Sequence, residues 1–451
     1  MHCVRIVVLL LFLSISSSLE KKDDNYRMFI KELHGIFRNR ILPSDYGLNI
    51  TKFVPKKGYL LESHEVTTED GYILTLHRIP YGRNHSKGDN QVRPPVLLMH
   101  GFLMSSMDWV YLGPDKSLGL LLADAGYDVW MGNVRGTTWS RKHVKLDPDK
   151  DKEFWEFSFH EHGYYDIPAC IDYILNMTNQ SQLYYIGHSQ GTTELFVLTS
   201  MRPEYNNKIK HGIALAPVAY MTDARSQVVD LVVKFEDRLK VLFNIFNVHE
   251  VLASSRWMKA AGRLLCADGS PFQEICPMLL FSICGYDYPQ LNKTFLPTLI
   301  FNSPSGTSVK NLEHFYVLIS SGKFTQFDYG REENLGRYNS TTPSEYDLSR
   351  ITAPITMYIS QNDYLSSVKD VETLSQKVKN SEVRHVKYRG FNHLDYVIAK
   401  DVDIIINNEL IDFLNLVRNK TANNEARYCT VSTALMIAVT SIHGTIYYDL
   451  Y

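Results

Sequence analysis

Short apolar runs alternate with longer stretches of apolar residues at helical spacing between about residue 60 and residue 220. This alternation is typical of an α/β domain built on a mostly parallel sheet. The runs predict strands at Tyr72–His77, Val96–Met99, Tyr127–Met131, Leu183–Ile186 and Gly212–Ala216. An Asp-Gly pair at 70–71 predicts an antiparallel hairpin that leads into the first of them.

The pattern changes between about residue 219 and residue 343. Apolar residues at helical spacing fill 228–261, and strand signals return only at Ile355–Ser360 and Val383–Tyr388. A helical pattern at Ile404–Val417 predicts a last helix that packs on the sheet. The simplest interpretation is a helical insertion placed before the last two strands.

The two ends of the chain differ from the rest. A basic start, an apolar run over 6–15 and the small residues Ser16 and Ser18 predict a secretory signal peptide over residues 1–18, rather than a buried first strand. Residues 428–448 contain no Asp, Glu, Lys or Arg, and as a helix they would rise about 31 Å, enough to cross a bilayer. Their Ser, Thr, His and Gly content favours a poorly ordered appendage over a membrane segment or a cleaved anchoring signal.

Glycosylation and cysteine signals agree with export. Seven N-x-Ser/Thr sequons, more than this composition gives by chance, predict a glycoprotein. They lie at Asn49, Asn84, Asn176, Asn179, Asn292, Asn339 and Asn419. Of the six cysteines, Cys3 falls in the predicted signal peptide, and the rest are too few for a disulfide scaffold. Cys266 and Cys276 are close enough in sequence to close a small loop.

Composition narrows the class of protein. The 451 residues are 45% hydrophobic with a net charge of −2, which excludes a charge-driven disordered chain. The 47 Lys and Arg nearly balance the 49 Asp and Glu, so the chain has no global basic field to hold nucleic acid.

The most informative stretch runs from Leu183 to Gly191, where a predicted strand enters Gly-His-Ser-Gln-Gly and a helical pattern follows. This context is that of a nucleophile elbow, which exposes the Ser189 hydroxyl above the sheet, and Gly187 and Gly191 remove Cβ atoms that would clash. The backbone N–H of Gln190, at the helix start, would point at a developing oxyanion. An ordinary glycine-rich turn is the plainer alternative.

The loop after the third strand begins with His100-Gly101-Phe102. A second oxyanion donor, the backbone N–H of Phe102, is expected at this place. We interpret His100 itself as a buried, hydrogen-bonded side chain that shapes the loop.

A serine nucleophile needs an acid and a base, expected in the chain order Ser, Asp or Glu, His. Asp363 follows the strand at 355–360 and is the candidate acid, with a turn or helix-cap role as the alternative. His393 lies in the loop after the final strand and is the candidate base, whereas His385 lies within that strand and is interpreted as structural. Asp395 is too close in sequence to orient His393, and we expect it to stabilise the loop.

With these residues in place, the chain resembles the acid lipase family of α/β-hydrolases, the group of gastric and lysosomal acid lipases and their invertebrate relatives. The resemblance covers about Asp45 to about Leu416. Its ordered landmarks are Glu69–Leu74, Arg78–Gly82, Leu122–Trp130, Gly132–Gly136, Phe154–Phe159, Gly187–Thr193 and Asn392–Asp395.

The resemblance implies an α/β-hydrolase fold with a triad of Ser189, Asp363 and His393 and an oxyanion hole from Phe102 and Gln190. It implies a core over 19–218 and 344–420 and a helical cap and lid over 219–343, whose Cys266–Cys276 disulfide encloses one residue more than the family's loop. Cys284 matches a free cysteine of the family. Phe102 departs from an aliphatic family position, and the tail at 421–451 has no family counterpart.

The expected protein is a secreted or lysosomal serine lipase that hydrolyses triacylglycerol or cholesteryl ester through an acyl-enzyme at a lipid–water interface. The near-zero net charge suits a neutral lipid substrate. A monomer is expected, with no cofactor, metal ion, nucleic acid or protein partner. A small-ester esterase or acyltransferase stays open, as does a non-catalytic lipid carrier or yolk-type protein on the same fold, although such carriers typically lack a triad member. The apolar helices of 228–246 would line an acyl site or simply pack on the core.

Overall fold

The computed structural model describes residues 42–84, 91–252, 265–268 and 270–420. The predicted signal peptide, the uncharged tail and the segment 253–261 of the predicted helical stretch lie outside the described residues. The chain divides into two compact units, Met1–Asp403 and Ile404–Tyr451. In the second unit the described residues include a helix over 408–420, at the place of the predicted last helix.

Among the described residues, the first unit contains an eight-stranded sheet and a separate pair of strands, ten strands in all. In chain order the strands are β1 (Glu62–Thr67), β2 (Ile73–Ile79), β3 (Pro95–Met99), β4 (Asp128–Met131), β5 (Leu183–His188), β6 (Ile209–Leu215), β7 (Glu250–Val251), β8 (Thr307–Ser308), β9 (Ile355–Ile359) and β10 (Ser381–His385). The sheet order is β1-β2-β4-β3-β5-β6-β9-β10, with β7 and β8 paired separately. β2 pairs antiparallel with β1 and β4, and the remaining pairs of the large sheet are parallel.

The burial of the central strands explains their apolar sequence. Every residue of β3, β4 and β5 is buried, as expected for parallel strands covered on both faces. The predicted hairpin is formed by β1 and β2, and Gly71 in its turn has φ of +97°, a conformation that favours glycine.

Helices cover both faces of the sheet and fill the insertion between β6 and β9. They are α1 (Ile50–Lys56), α2 (Leu118–Asp124), α3 (Ile167–Thr178), α4 (Gln190–Met201), α5 (Gln227–Lys234), α6 (Glu236–Ile245), α7 (Ile275–Cys284), α8 (Leu296–Asn302), α9 (Val309–Ser321), α10 (Arg331–Tyr338), α11 (Val368–Lys377) and α12 (Asp395–Ile398). A helical turn, Phe159–Glu161, and a π-helical turn, His162–Asp166, lead into α3. In the part of the chain that the structure describes, no helix is long and apolar enough to cross a bilayer.

We call the residues between β6 and β9, 216–354, the insertion. It contains α5 to α10, as a helical insertion before the last two strands predicts, and also the short pair β7 and β8, which the pattern did not predict. The bounds 219–343 for a cap domain stay a prediction.

The final strand is displaced from its predicted position. It covers Ser381–His385 rather than Val383–Tyr388, so the expectation of strand structure at 386–388 is wrong. Among the described strands, β10 is at the edge of the sheet and has β9 as its one neighbour. It is therefore partly exposed, and its largely polar sequence lacks the apolar run by which the buried strands are predicted.

The sequon asparagines lie on the surface. Asn49 is half-buried, and its Oδ1 accepts a hydrogen bond from the Thr51 hydroxyl at 2.9 Å. The exposed ones are Asn84, Asn176, Asn179, Asn292, Asn339 and Asn419. Their glycosylation stays a prediction, and none is sterically excluded by burial.

Candidate active site

The sharp turn predicted at Ser189 is present. β5 ends at His188, α4 begins at Gln190, and Ser189 between them has φ of 52° and ψ of −117°. A Cβ on Gly187 would lie 2.5 Å from the Gly191 carbonyl oxygen, and a Cβ on Gly191 would lie 2.4 Å from the carbonyl oxygen of Met99. These close approaches explain why glycine occupies both positions of the motif.

The structure brings together the three residues that sequence spacing proposed as a triad. Ser189 Oγ lies 2.7 Å from His393 Nε2, and His393 Nδ1 lies 2.8 Å from Asp363 Oδ2. Ser189 is 8% exposed, His393 3% and Asp363 fully buried. This is the geometry in which an imidazole accepts a hydroxyl proton while a carboxylate orients its ring.

Asp363 also makes the turn that its alternative interpretation predicts. Its Oδ1 accepts hydrogen bonds from the backbone N–H groups of Leu365 and Ser366, each at 2.8 Å. Arg225 donates to the Asp363 carbonyl oxygen at 3.0 Å. The two roles are compatible, because the local turn fixes the carboxylate that contacts His393.

The loop that carries His393 is held from both sides. The backbone N–H of His393 donates to the Cys284 carbonyl at 3.1 Å, and the His393 carbonyl accepts from His188 Nε2 at 2.8 Å. Burial, with the neighbouring His393 as a smaller cause, lowers the pKa of His188 to about 3, so this ring stays neutral in mildly acidic solution. Asp395 accepts from the Asn392 N–H at 2.6 Å and stabilises the loop as expected.

His188 is a supporting residue that sequence reasoning missed. It lies inside the elbow motif, next to Ser189, but its contact with the His393 loop depends on residues 205 positions apart. No local signal in the motif indicates that contact.

The two predicted oxyanion donors flank Ser189. Phe102 follows β3 and lines the same cavity as Ser189, and Gln190 is the first residue of α4. Among the described residues, neither of their backbone N–H groups donates to a protein acceptor. Both are therefore available to a substrate oxygen.

His100 shapes the oxyanion loop, as interpreted from the sequence. It is buried, its Nδ1 donates to the Gly101 carbonyl at 2.8 Å, and its Nε2 accepts from the Val134 N–H at 3.4 Å. Burial lowers its pKa to about 4, in agreement with a neutral ring.

A cavity of about 270 Å³ opens beside Ser189. Its walls come from the loop after β3, the insertion and the loop after β9. Among the lining residues that the structure describes, Ser189 and Tyr316 supply the only side-chain hydroxyls. The lining residues are Phe102, Leu103, Ser189, Val218, Met221, Val228, Val229, Val232, Val233, Leu239, Phe243, Val251, Leu252, Ile283, Leu312, Phe315, Tyr316, Ile319 and Leu365. An apolar cavity with one reactive hydroxyl at its wall suits the hydrocarbon part of an ester.

In the described ranges, no group of three or more His, Cys, Asp or Glu side chains is placed to hold a metal ion.

The disulfide implied by the resemblance is present. Cys266 and Cys276 are bonded across a sequence separation of 10, and Cys284 is buried with a free thiol.

The sheet order, the elbow and the three aligned side chains together define an α/β-hydrolase. A model of the α/β hydrolase fold matches residues 94–399, and a model of a partial α/β-hydrolase lipase region matches residues 50–113. The chain is 38% identical to Lipase 1 of Drosophila melanogaster, over 83% of this chain and 82% of that protein.

Two further relatives are also lipases by name. The chain is 41% identical to Lipase 3 of Drosophila melanogaster over 78% of this chain and 89% of that one. It is 38% identical to gastric triacylglycerol lipase of Rattus norvegicus over 84% of this chain and 95% of that one. The chain therefore belongs to the acid lipase family of α/β-hydrolases.

Proposed function

We propose that the protein hydrolyses the carboxylic esters of neutral lipids, triacylglycerol or cholesteryl ester, with Ser189 as the nucleophile. Membership of the lipase family makes the protein a carboxylic ester hydrolase, and the gastric relatives are named for triacylglycerol. The single observation that carries the proposal is the position of Ser189, which lines an apolar cavity and lies 2.7 Å from the ring of His393.

In the proposed mechanism, His393 Nε2 takes the Ser189 proton while Oγ attacks the ester carbonyl carbon. The backbone N–H groups of Phe102 and Gln190 stabilise the oxyanion. The C–O bond then breaks, the leaving alcohol takes the proton from His393, and an acyl-enzyme remains. Water hydrolyses this ester by the same route, with His393 first as base and then as acid, and Asp363 orients the ring throughout.

The cavity would hold the acyl chain. Four valines of α5 and residues of α9 line it, so a chain that enters exchanges water for aliphatic contacts. Burial of each methylene group contributes about 0.8 kcal/mol, which favours long acyl chains over acetate. We propose that residues 219–343 form a cap over this cavity and that the enzyme acts at a lipid–water interface as a monomer.

We propose that the protein works in the secretory pathway or beyond it, outside the cell or in the lysosome. The predicted signal peptide over 1–18 and the surface position of the sequon asparagines support this.

The test is hydrolysis of emulsified trioleoylglycerol and cholesteryl oleate by the purified glycoprotein and its Ser189→Ala variant. We expect the variant to lose roughly 10³-fold or more in kcat, because without the hydroxyl no acyl-enzyme forms. A variant that hydrolyses these esters at the wild-type rate would refute the role of Ser189. A wild-type protein that binds lipid without hydrolysing any ester would favour the lipid carrier.

A second comparison separates a lipase from a small-ester esterase. Rates on soluble butyrate esters and on emulsified long-chain esters are measured below and above the solubility limit of the substrate. We expect the long-chain rate to rise when an interface forms, whereas an esterase would show its highest kcat/KM on the dissolved short ester.

A further inference from the structure

A buried side chain of the insertion, that of Asn311 on α9, contacts the Gln190 side chain. Asn311 is fully buried, and its Nδ2 donates to Gln190 Oε1 at 2.8 Å and to Thr307 Oγ1 at 3.0 Å. Its Oδ1 accepts from the backbone N–H of Phe159 at 2.8 Å. Both N–H donors of this amide and one acceptor position of its oxygen are therefore used.

The orientation of the two amides follows from the backbone. The Phe159 N–H can only donate, so the oxygen of Asn311 must face it, and the Asn311 NH₂ group must face Gln190 Oε1. The NH₂ group of Gln190 then points the other way, to Glu194 Oε1 at 2.9 Å and His162 Nδ1 at 3.1 Å. Gln190 is thus hydrogen-bonded at both ends of its side-chain amide.

The two groups on the far side of Gln190, Glu194 and His162, are ionisable and fully buried. Burial raises the pKa of Glu194 well above its usual value, and burial lowers the pKa of His162 well below its usual value. Glu194 Oε1 and His162 Nδ1 lie 3.2 Å apart. Both pKa shifts favour the neutral form of the group that the Gln190 NH₂ contacts.

The same part of the insertion also holds the other side of the oxyanion hole. The Ser305 N–H donates to the Leu103 carbonyl at 2.7 Å, next to Phe102 in the chain. Leu103 has φ of 62°, a conformation that costs a leucine about 1 kcal/mol or more and that needs such support. The segment Ser305–Asn311 therefore reaches the neighbourhood of both proposed donors.

We propose that Asn311 is a positioning residue of the oxyanion hole, which holds the Gln190 side chain so that the Gln190 backbone N–H points at the reacting oxygen. The Gln190 N–H belongs to the peptide bond that joins Ser189 to Gln190. A change in the backbone conformation of Gln190 would therefore move this donor relative to the Ser189 hydroxyl. A donor that is already oriented needs no reorganisation when the oxyanion forms. The inference rests on the proposed ester hydrolysis at Ser189.

The test uses Asn311→Asp and Asn311→Ala. In Asn311→Asp the carboxylate can still accept from the Phe159 N–H, but an oxygen that cannot donate now faces Gln190 Oε1. Asn311→Ala removes both contacts. For both we expect kcat on a soluble butyrate ester to fall roughly 10²-fold while KM changes less than about twofold, because the oxyanion exists only in the transition state. Inhibition by a trifluoromethyl ketone, which forms an oxyanion with Ser189, should weaken by the same factor.

The matched control is Thr307→Val, which removes the other acceptor of the Asn311 amide and leaves the contact with Gln190. We expect kcat within about twofold of wild type for this variant, since the stabilisation of the oxyanion by the Gln190 backbone N–H is untouched. All variants are assayed below the onset of their thermal unfolding, so a loss of stability does not enter kcat.

A double-mutant cycle separates positioning from a general packing defect. Gln190→Met keeps the backbone donor and removes the side-chain amide, so its effect and that of Asn311→Ala should not add. Full additivity, or wild-type kcat in both Asn311 variants while Ser189→Ala is inactive, would overturn the inference and leave the proposed function intact. A wild-type protein without ester hydrolysis would overturn the proposed function and this inference with it.

Discussion

Ser189 has a backbone conformation that L-residues rarely adopt, with φ of 52° and ψ of −117°. Such a conformation costs of order 1–3 kcal/mol and persists only when the surroundings determine it. Here the Ser189 N–H donates to the Leu215 carbonyl at 2.9 Å, and Gly187 and Gly191 let the turn close. At the scale of the residue, the strain is the means by which the hydroxyl comes to face His393.

Asp363 allows a test of the proposed triad that preserves the fold. In Asp363→Asn the side-chain oxygen can still accept from Leu365 and Ser366, but an NH₂ group can face His393 Nδ1 and favour the wrong tautomer. We expect kcat to fall roughly 10⁴-fold with little change in melting temperature. The measurement is kcat on a soluble ester beside a thermal melt. If the variant retains a tenth of wild-type kcat, Asp363 does not orient the base.

At the scale of the element, α5 is the helix whose sequence pattern explains its position. Val228, Val229, Val232 and Val233 line the cavity, whereas Asp230 is exposed. Ser226 caps the helix start and accepts from the Val229 N–H at 3.3 Å. The sequence leaves two interpretations of this apolar stripe open, an acyl site or simple packing. Val232 fits both, because it lines the cavity beside Ser189 and packs against the apolar cluster of Leu239, Phe243 and Val248.

A large ring on the cavity side of α5 should shorten the acyl chain that the enzyme accepts. We expect Val232→Trp to lower kcat/KM for oleate esters at least about tenfold more than for butyrate esters, because a side chain several methylene groups larger occupies the space of the distal chain. The measurement is the ratio of kcat/KM for a series of p-nitrophenyl esters.

The control is Val241→Trp on α6, which adds the same volume at a position that is 56% exposed and outside the cavity lining. Its chain-length profile should match that of wild type. Equal profiles for Val232→Trp and wild type would show that the cavity does not hold the acyl chain.

At the scale of the first compact unit, burial shifts the pKa of several ionisable side chains toward the neutral form. Burial lowers the pKa of His77 and His100 to about 4 and raises the pKa of Asp108 to about 6. The histidines bind protons more weakly in the folded than in the unfolded chain, so they destabilise the fold as pH falls below their unfolded pKa. A buried carboxylic acid such as Asp108 has the opposite effect, because its pKa is higher in the folded than in the unfolded chain. Its protonated form stabilises the fold at low pH, and this stabilisation is lost as the pH rises through the pKa of the folded chain.

Glu194 isolates one of these opposing effects. Its raised pKa means that its contribution is complete below the unfolded value near 4.5 and is lost as pH rises toward the folded pKa, with a slope of about 1.4 kcal/mol per pH unit. Glu194→Gln mimics the protonated acid at every pH. We expect its melting temperature, relative to that of wild type, to be higher at pH 8 than at pH 5, as measured by thermal melts in matched buffers. A difference that does not change with pH would mean that Glu194 is not held neutral.

Local patterns in the sequence predict most of the architecture and select the candidate catalytic residues that the structure brings together. The apolar runs of β3, β5 and β9 are strands because both faces are covered, and the motif around Ser189 marks the elbow because glycine is required at that turn. Asp363 and His393 could be selected because each follows a strand, and parallel strands end at the same edge of the sheet. The edge strand β10 was misplaced because its polar residues carry no such pattern.

Only the tertiary structure showed what holds these groups in place. The contact of Asn311 with Gln190 joins residues 121 positions apart, and that of His188 with His393 joins residues 205 positions apart. The sequence pattern around a single asparagine in an amphipathic helix, or around a histidine in a nucleophile elbow, does not indicate which distant residue it contacts. Hydrogen bonds of this kind depend on how segments far apart in the chain pack together, which is decided by burial and steric fit across the whole unit rather than by neighbours along the chain.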